Sequence, residues 1–122
     1  MFSRTILTIS VLLITGSRCT HDYNNMYHNY PMAPSDLKVQ VLSSTSVQLY
    51  WTDNSDNEDG FYIECGTSSG VYDSIHSDGP NVTSFIDADL QPNTTYYYVV
   101  KSFRSNDLWS KFSNEVMCTT PN

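Results

Sequence analysis

The densest run of metal-type oxygen donors is Asp53-Asn54-Ser55-Asp56-Asn57-Glu58-Asp59-Gly60. Carboxylates and amides at alternate positions before a glycine are what a hard cation such as calcium takes. With Gly60 as the glycine of a twelve-residue calcium loop, Ser55 falls at the first ligand position and Gly66 at the twelfth, where a bidentate Glu is needed. The template fails, and the run reads as a solvated turn in which Asp and Asn side chains bond their own backbone. His21, Asp22 and His28 could offer a transition metal two imidazoles and a carboxylate, but they lie in a stretch with no scaffold to preorganise them, and His76 is distant. The serines and threonines have no His at motif distance and no glycine elbow, so nucleophilic catalysis has no visible machinery. The expectation is a protein that is not an enzyme, with no metal and no cofactor.

The remaining reactive groups are Cys19, Cys65 and Cys118. Cys19 follows Met1-Phe2-Ser3-Arg4, an uncharged and mostly apolar run from Thr5 to Ile14, and a short zone of small polar residues. That is the order of a secretory signal peptide, and the apolar run is too short to span a bilayer. Two fates compete for Cys19. Its position is that of a lipoprotein cysteine, whereas Arg18 stands where lipidation wants a small residue, and cleavage after Ser17 or Cys19 satisfies ordinary processing. The expected organisation is a leader over 1–19, a flexible tether over 20–32 and one domain over 33–121.

Charge narrows the partners. The net charge is −7, and once Arg4 and Arg18 leave with the leader only Lys38, Lys101, Arg104 and Lys111 face thirteen carboxylates. So sparse a set of cations cannot neutralise a run of phosphates, which disfavours nucleic acid, and it disfavours direct adsorption to an anionic membrane. Contact with a membrane is left to the lipid at Cys19.

Elements to position these groups come from a period of two. Leu37, Val39 and Val41 alternate with Lys38 and Gln40, and Val47, Leu49 and Trp51 alternate with Gln48 and Tyr50. Phe61, Ile63 and Cys65 form the inward side of a third strand. A short edge strand spans 71–76, a fifth spans 82–88 with Phe85 inward, and a sixth turns Tyr96, Tyr98, Val100 and Ser102 inward. Val116 and Cys118 face inward on the last. Leu90-Gln91-Pro92-Asn93-Thr94-Thr95-Tyr96 is the turn by which a β-sandwich rounds from one sheet to the other, with the Tyr hydroxyl bonding back to upstream main chain. Seven short strands with regular turns and no helical period predict an all-β, seven-stranded Greek-key β-sandwich.

The segment from Ala33 to Pro121 resembles a fibronectin type III domain of the kind common in bacterial secreted proteins. The resemblance rests on Ala33-Pro34-Ser35-Asp36-Leu37, Ser46-Val47-Gln48-Leu49-Tyr50-Trp51, Gly60-Phe61-Tyr62-Ile63-Glu64, the Leu90 to Tyr96 corner and Ser113-Asn114-Glu115-Val116. It implies that the strand holding Tyr96 lies between those of Cys65 and Cys118. Two strand steps of about 4.8 Å exceed the ~7 Å limit on Cα separation in a disulfide, so two buried free thiols are expected.

On the outward side of the same sheet, alternation places Tyr62, Tyr97, Val99 and Phe103 together with Lys101 and Glu64, and Trp109 and Phe112 follow the last turn. Large outward aromatics mark an interface, or else pair across strands and stabilise the sheet. Tyr62, Tyr97, Phe103 and Trp109 are the candidate binding residues. The expected role is a secreted or envelope-anchored module for protein binding or adhesion, or a spacer; the alternatives are a carbohydrate-binding accessory and a structural module without a ligand. Asn81 and Asn93 head glycosylation sequons, which matter only in a eukaryotic source.

Overall fold

The computed structural model describes residues 29–105 and 107–122. The expected leader over 1–19 with Cys19, and His21, Asp22 and His28, lie outside them. Among the described residues, eight strands form two sheets: β1 (Ser35–Ser43), β2 (Ser46–Thr52), β3 (Gly60–Gly66), β4 (Ser74–Asp78), β5 (Ser84–Asp87), β6 (Thr95–Arg104), β7 (Leu108–Trp109) and β8 (Val116–Thr119). One sheet runs β1-β2-β5, and the other runs β4-β3-β6-β7 with β8 also paired to β6. Every pairing is antiparallel.

The core follows the alternation. Leu37, Val47, Leu49, Trp51, Phe61, Ile63, Tyr98 and Val100 are buried between the sheets, with Leu90 closing one end. Trp51 meets Phe61 with ring centres 5.5 Å apart. At the corner, the Gln91 N–H donates to the Tyr96 hydroxyl at 2.8 Å, and Thr94 Oγ1 donates to the Pro92 carbonyl at 2.9 Å. Asn93 takes φ 54° there, in the left-handed region that Asn tolerates better than most residues.

Eight strands appear instead of seven because the last edge pairs β6 in two pieces. Between β7 and β8, serine hydroxyls take over the ladder. Ser110 N–H donates to the Ser102 carbonyl (2.9 Å) while its Oγ accepts from Ser102 N–H (3.0 Å). Ser113 does the same with Val100, at 2.8 and 3.0 Å. Side-chain oxygens thus replace main-chain acceptors, and the backbone of that stretch leaves strand geometry without orphaning β6. The edge strand begins at Ser74, later than alternation suggests, since Val71 makes only an isolated bridge with Ser68.

β6 separates the two cysteines: Cys65 pairs with Tyr98, and Cys118 with Tyr96. Both thiols are free and buried. Burial pushes the Cys65 thiol up to about 11 and the Cys118 thiol upward.

The N-terminal approach is fixed to one end of the sandwich. Met32 N–H donates to Ser55 Oγ at 3.2 Å, Ser102 Oγ donates to the Met32 carbonyl at 2.7 Å, and Asn54 Nδ2 donates to the Ala33 carbonyl at 3.0 Å. The 53–59 loop therefore lies at the end where the chain enters.

Candidate binding face

The outward face of the five-stranded sheet is set by register. Tyr62 lies opposite Lys101, Glu64 opposite Val99 and Gly66 opposite Tyr97. Trp109 stands opposite Phe103 on one side, and Ile75 opposite Glu64 on the other. Met117 is opposite Tyr97. Diagonal neighbours on an antiparallel sheet are within reach of long side chains, and two such pairs form here. Tyr62 stacks on Phe103 with centres 4.3 Å apart, and Lys101 Nζ meets Glu64 Oε2 at 3.0 Å. Gly60 makes room for the first pair, since a Cβ there would stand 2.9 Å from the Phe103 ring.

Lys101 is the hub. Its ammonium lies 5.2 Å from the Trp109 ring centre, 5.1 Å from Phe112 and 5.9 Å from Tyr62, within the range of cation–π attraction. Glu64 is buried at 6% exposure and Val99 at 2% even though both point away from the core. The face thus carries its own cover of side chains.

A clamp holds the rim. The exposed carboxylate of Glu115 accepts from Ser69 Oγ (2.6 Å), Gly70 N–H (3.1 Å) and the Tyr72 hydroxyl. Tyr72 in turn meets Phe112 edge-on at 5.6 Å. The Ser69 and Tyr72 hydroxyls hold the Glu115 carboxyl below its usual range, while burial and the adjacent carboxylate push Tyr72 up to about 12.

Of the candidate residues, the fold gathers Tyr62, Phe103 and Trp109 around Lys101. Tyr97 sits on the same face two outward positions along β6, about 13 Å from Lys101 at strand spacing. Glu115 and Tyr72 were not singled out by sequence reasoning; their contacts cross more than forty residues, and no local pattern marks them. Asn81 and Asn93 occupy exposed turns with φ 62° and 54°.

A shallow cleft of about 120 Å³ opens on this face between Tyr62, Glu64, Ile75, Lys101 and Trp109. A second recess, of about 330 Å³, lies where the sheets part between β4 and β5, lined by Asp73, His76, Asp87, Asp89, Tyr96 and others. Asp87 is held there by the Tyr98 hydroxyl, which donates to its Oδ2 at 2.9 Å. In the 53–59 loop the acidic side chains serve backbone amides: Asp53 accepts from Ser55 N–H (2.9 Å), Glu58 from Asn81 N–H (2.9 Å) and Asp59 from Ser105 N–H (2.6 Å).

Residues 32–119 match the sequence profile described as the fibronectin type III domain. Among characterised proteins, the chain is 29% identical over 80 residues to a gellan lyase of a Bacillus species, covering 66% of this chain and 3% of that protein. It is 32% identical over 94 residues to an alpha-amylase of Niallia circulans, covering 75% of this chain and 7% of that protein. The chain therefore spans only a small fraction of the curated relatives it matches. Among solved structures, the FN1–FN3 domains of chicken CNTN1 superpose with a TM-score of 0.67 at 22% identity, over 74% of this chain and 32% of that one.

Proposed function

Because the chain belongs to the fibronectin type III domain family, we propose that it serves outside the cell as a non-catalytic module presenting the outer face of its five-stranded sheet to a partner. One observation carries this reading. Ile75 (60% exposed), Met117 (58%), Trp109 (47%) and Phe112 (43%) all leave large apolar surface open on that face. Concentrations of this kind are interaction sites more often than accidents. Tyr62 and Phe103 stack on each other, so in this reading they brace the surface, while Trp109 and Tyr97 meet the partner.

Relatives support an accessory role: the matching segment is 3% of a gellan lyase and 7% of an alpha-amylase, too little to be their catalytic body. The leader, with or without lipid at Cys19, would deliver the module to the envelope or medium. A photoreactive benzophenone analogue of phenylalanine placed at Phe112, on the rim beside Lys101, and separately at Tyr50 on the opposite sheet, tests the face in the producing cells while leaving Trp109 in place. Adducts from position 112 and not from 50 are expected; equal yields, or none from either, would refute it.

A further inference from the structure

The 120 Å³ cleft beside Trp109 brings three features together. First, a carboxylate lines it: Glu64 is 6% exposed, and Lys101 engages it through Oε2 at 3.0 Å. Second, the Trp109 indole stands at the cleft half open, positioned by the ammonium 5.2 Å from its centre. Third, the opposite wall is Ile75, also open.

We propose that this cleft is a subsite for one uncharged sugar ring of a polysaccharide, a deepening that rests on the binding-face reading above. A pyranose ring has a face of C–H bonds and an edge of hydroxyls. The C–H face suits the indole and the Ile75 side chain, and a hydroxyl can donate to the Glu64 carboxylate. Charge selects against the alternatives. The single cation in the cleft is already paired with Glu64, and the chain carries a net charge of −7, so an acidic sugar would meet repulsion without compensation. A cationic ligand would have to displace Lys101 from Glu64. Size points to a polymer: the cleft is smaller than the roughly 300–1,000 Å³ of small-molecule pockets, so useful affinity needs further rings along the exposed strip toward Met117.

The test is electrophoresis of the full processed protein through native gels containing amylose, xylan or mixed-linkage β-glucan, with polygalacturonate as the acidic polymer. The expected result is retardation by at least one neutral polymer and none by polygalacturonate. Trp109→Ala should weaken the retardation at least tenfold, with Tyr50→Ala unchanged. In the unsubstituted protein the same polymer should shift Trp109 emission, which separates loss of binding from loss of folding. If no neutral polymer retards the protein, or if Trp109→Ala binds normally, the sugar assignment is overturned. Protein adducts from the photoreactive residue at position 112 would then leave the binding face standing, and no adducts at all would remove both.

Discussion

On the second sheet's outer face and in the core, the carboxylates of Glu64 and Asp87 are almost equally hidden, at 6% and 5% exposure, yet they are satisfied in opposite ways. Asp87 shares the inward parity of Phe85 on β5 and takes a neutral O–H from Tyr98 across the sandwich. Glu64 points outward from β3 and takes a full positive charge from Lys101, under a roof of aromatic rings. A polar group between two sheets needs a partner that fits the core without adding another charge to desolvate. On the outer face water is close enough to permit an ion pair, and the rings shield it without sealing it. The inner pair therefore belongs to the fold, and the outer pair to the proposed binding face.

The largest expected effect breaks the inner pair. Tyr98→Phe keeps the core volume and removes the hydroxyl, so Asp87 loses its donor; the stability loss should be about 2 kcal/mol by urea denaturation. Polymer binding at the cleft should be unchanged. Next, Lys101→Met leaves Glu64 without its cation, at a cost of about 1–2 kcal/mol, less than for a sealed ion pair because Glu64 lines an open cleft. Adding Glu64→Gln should recover much of that loss, and a double-mutant cycle measures the coupling. The smallest effect on stability belongs to Trp109→Ala, within about 0.5 kcal/mol, although it should weaken polymer binding at least tenfold.

Two pH limbs sharpen the same contrast. Glu115 has its folded value lowered from 4.5, so the folded state resists protonation there. That contribution is present above 4.5 and is lost as pH falls through the lower folded value. Glu115→Gln should flatten this acid limb in melts recorded across the range. Cys65 is raised from 9.0 to about 11, so its contribution is complete below 9.0 and is lost as pH rises through about 11. Cys65→Ala should flatten the alkaline limb, and Ellman's reagent at neutral pH should label Cys65 and Cys118 only after unfolding.

The sequence disclosed most of what depends on alternation. Trp51, Phe61, Ile63, Tyr98 and Val100 fall inward because a strand has only two sides, and the Leu90 to Tyr96 corner is legible because its turn residues are local. The separation of Cys65 from Cys118 followed from the strand order that the family resemblance implies, and β6 does lie between them. What stayed hidden depends on contact across the chain. The break between β7 and β8 is made by serine hydroxyls, which no periodicity distinguishes from solvent-facing ones. Val99 is outward by parity but covered, because burial on an outer face depends on neighbours from other strands. Asp87 had a signal that was passed over: the parity that turns Phe85 inward also turns Asp87 inward.

The most direct test of the central claim is a ¹H–¹⁵N NMR titration of the processed protein with a neutral polysaccharide that retards it in gels. The Trp109 indole N–H and the amides of Glu64 and Lys101 should move while the buried Trp51 indole stays in place. Shifts confined to the β1-β2-β5 sheet, or none at saturating polymer, would contradict the account.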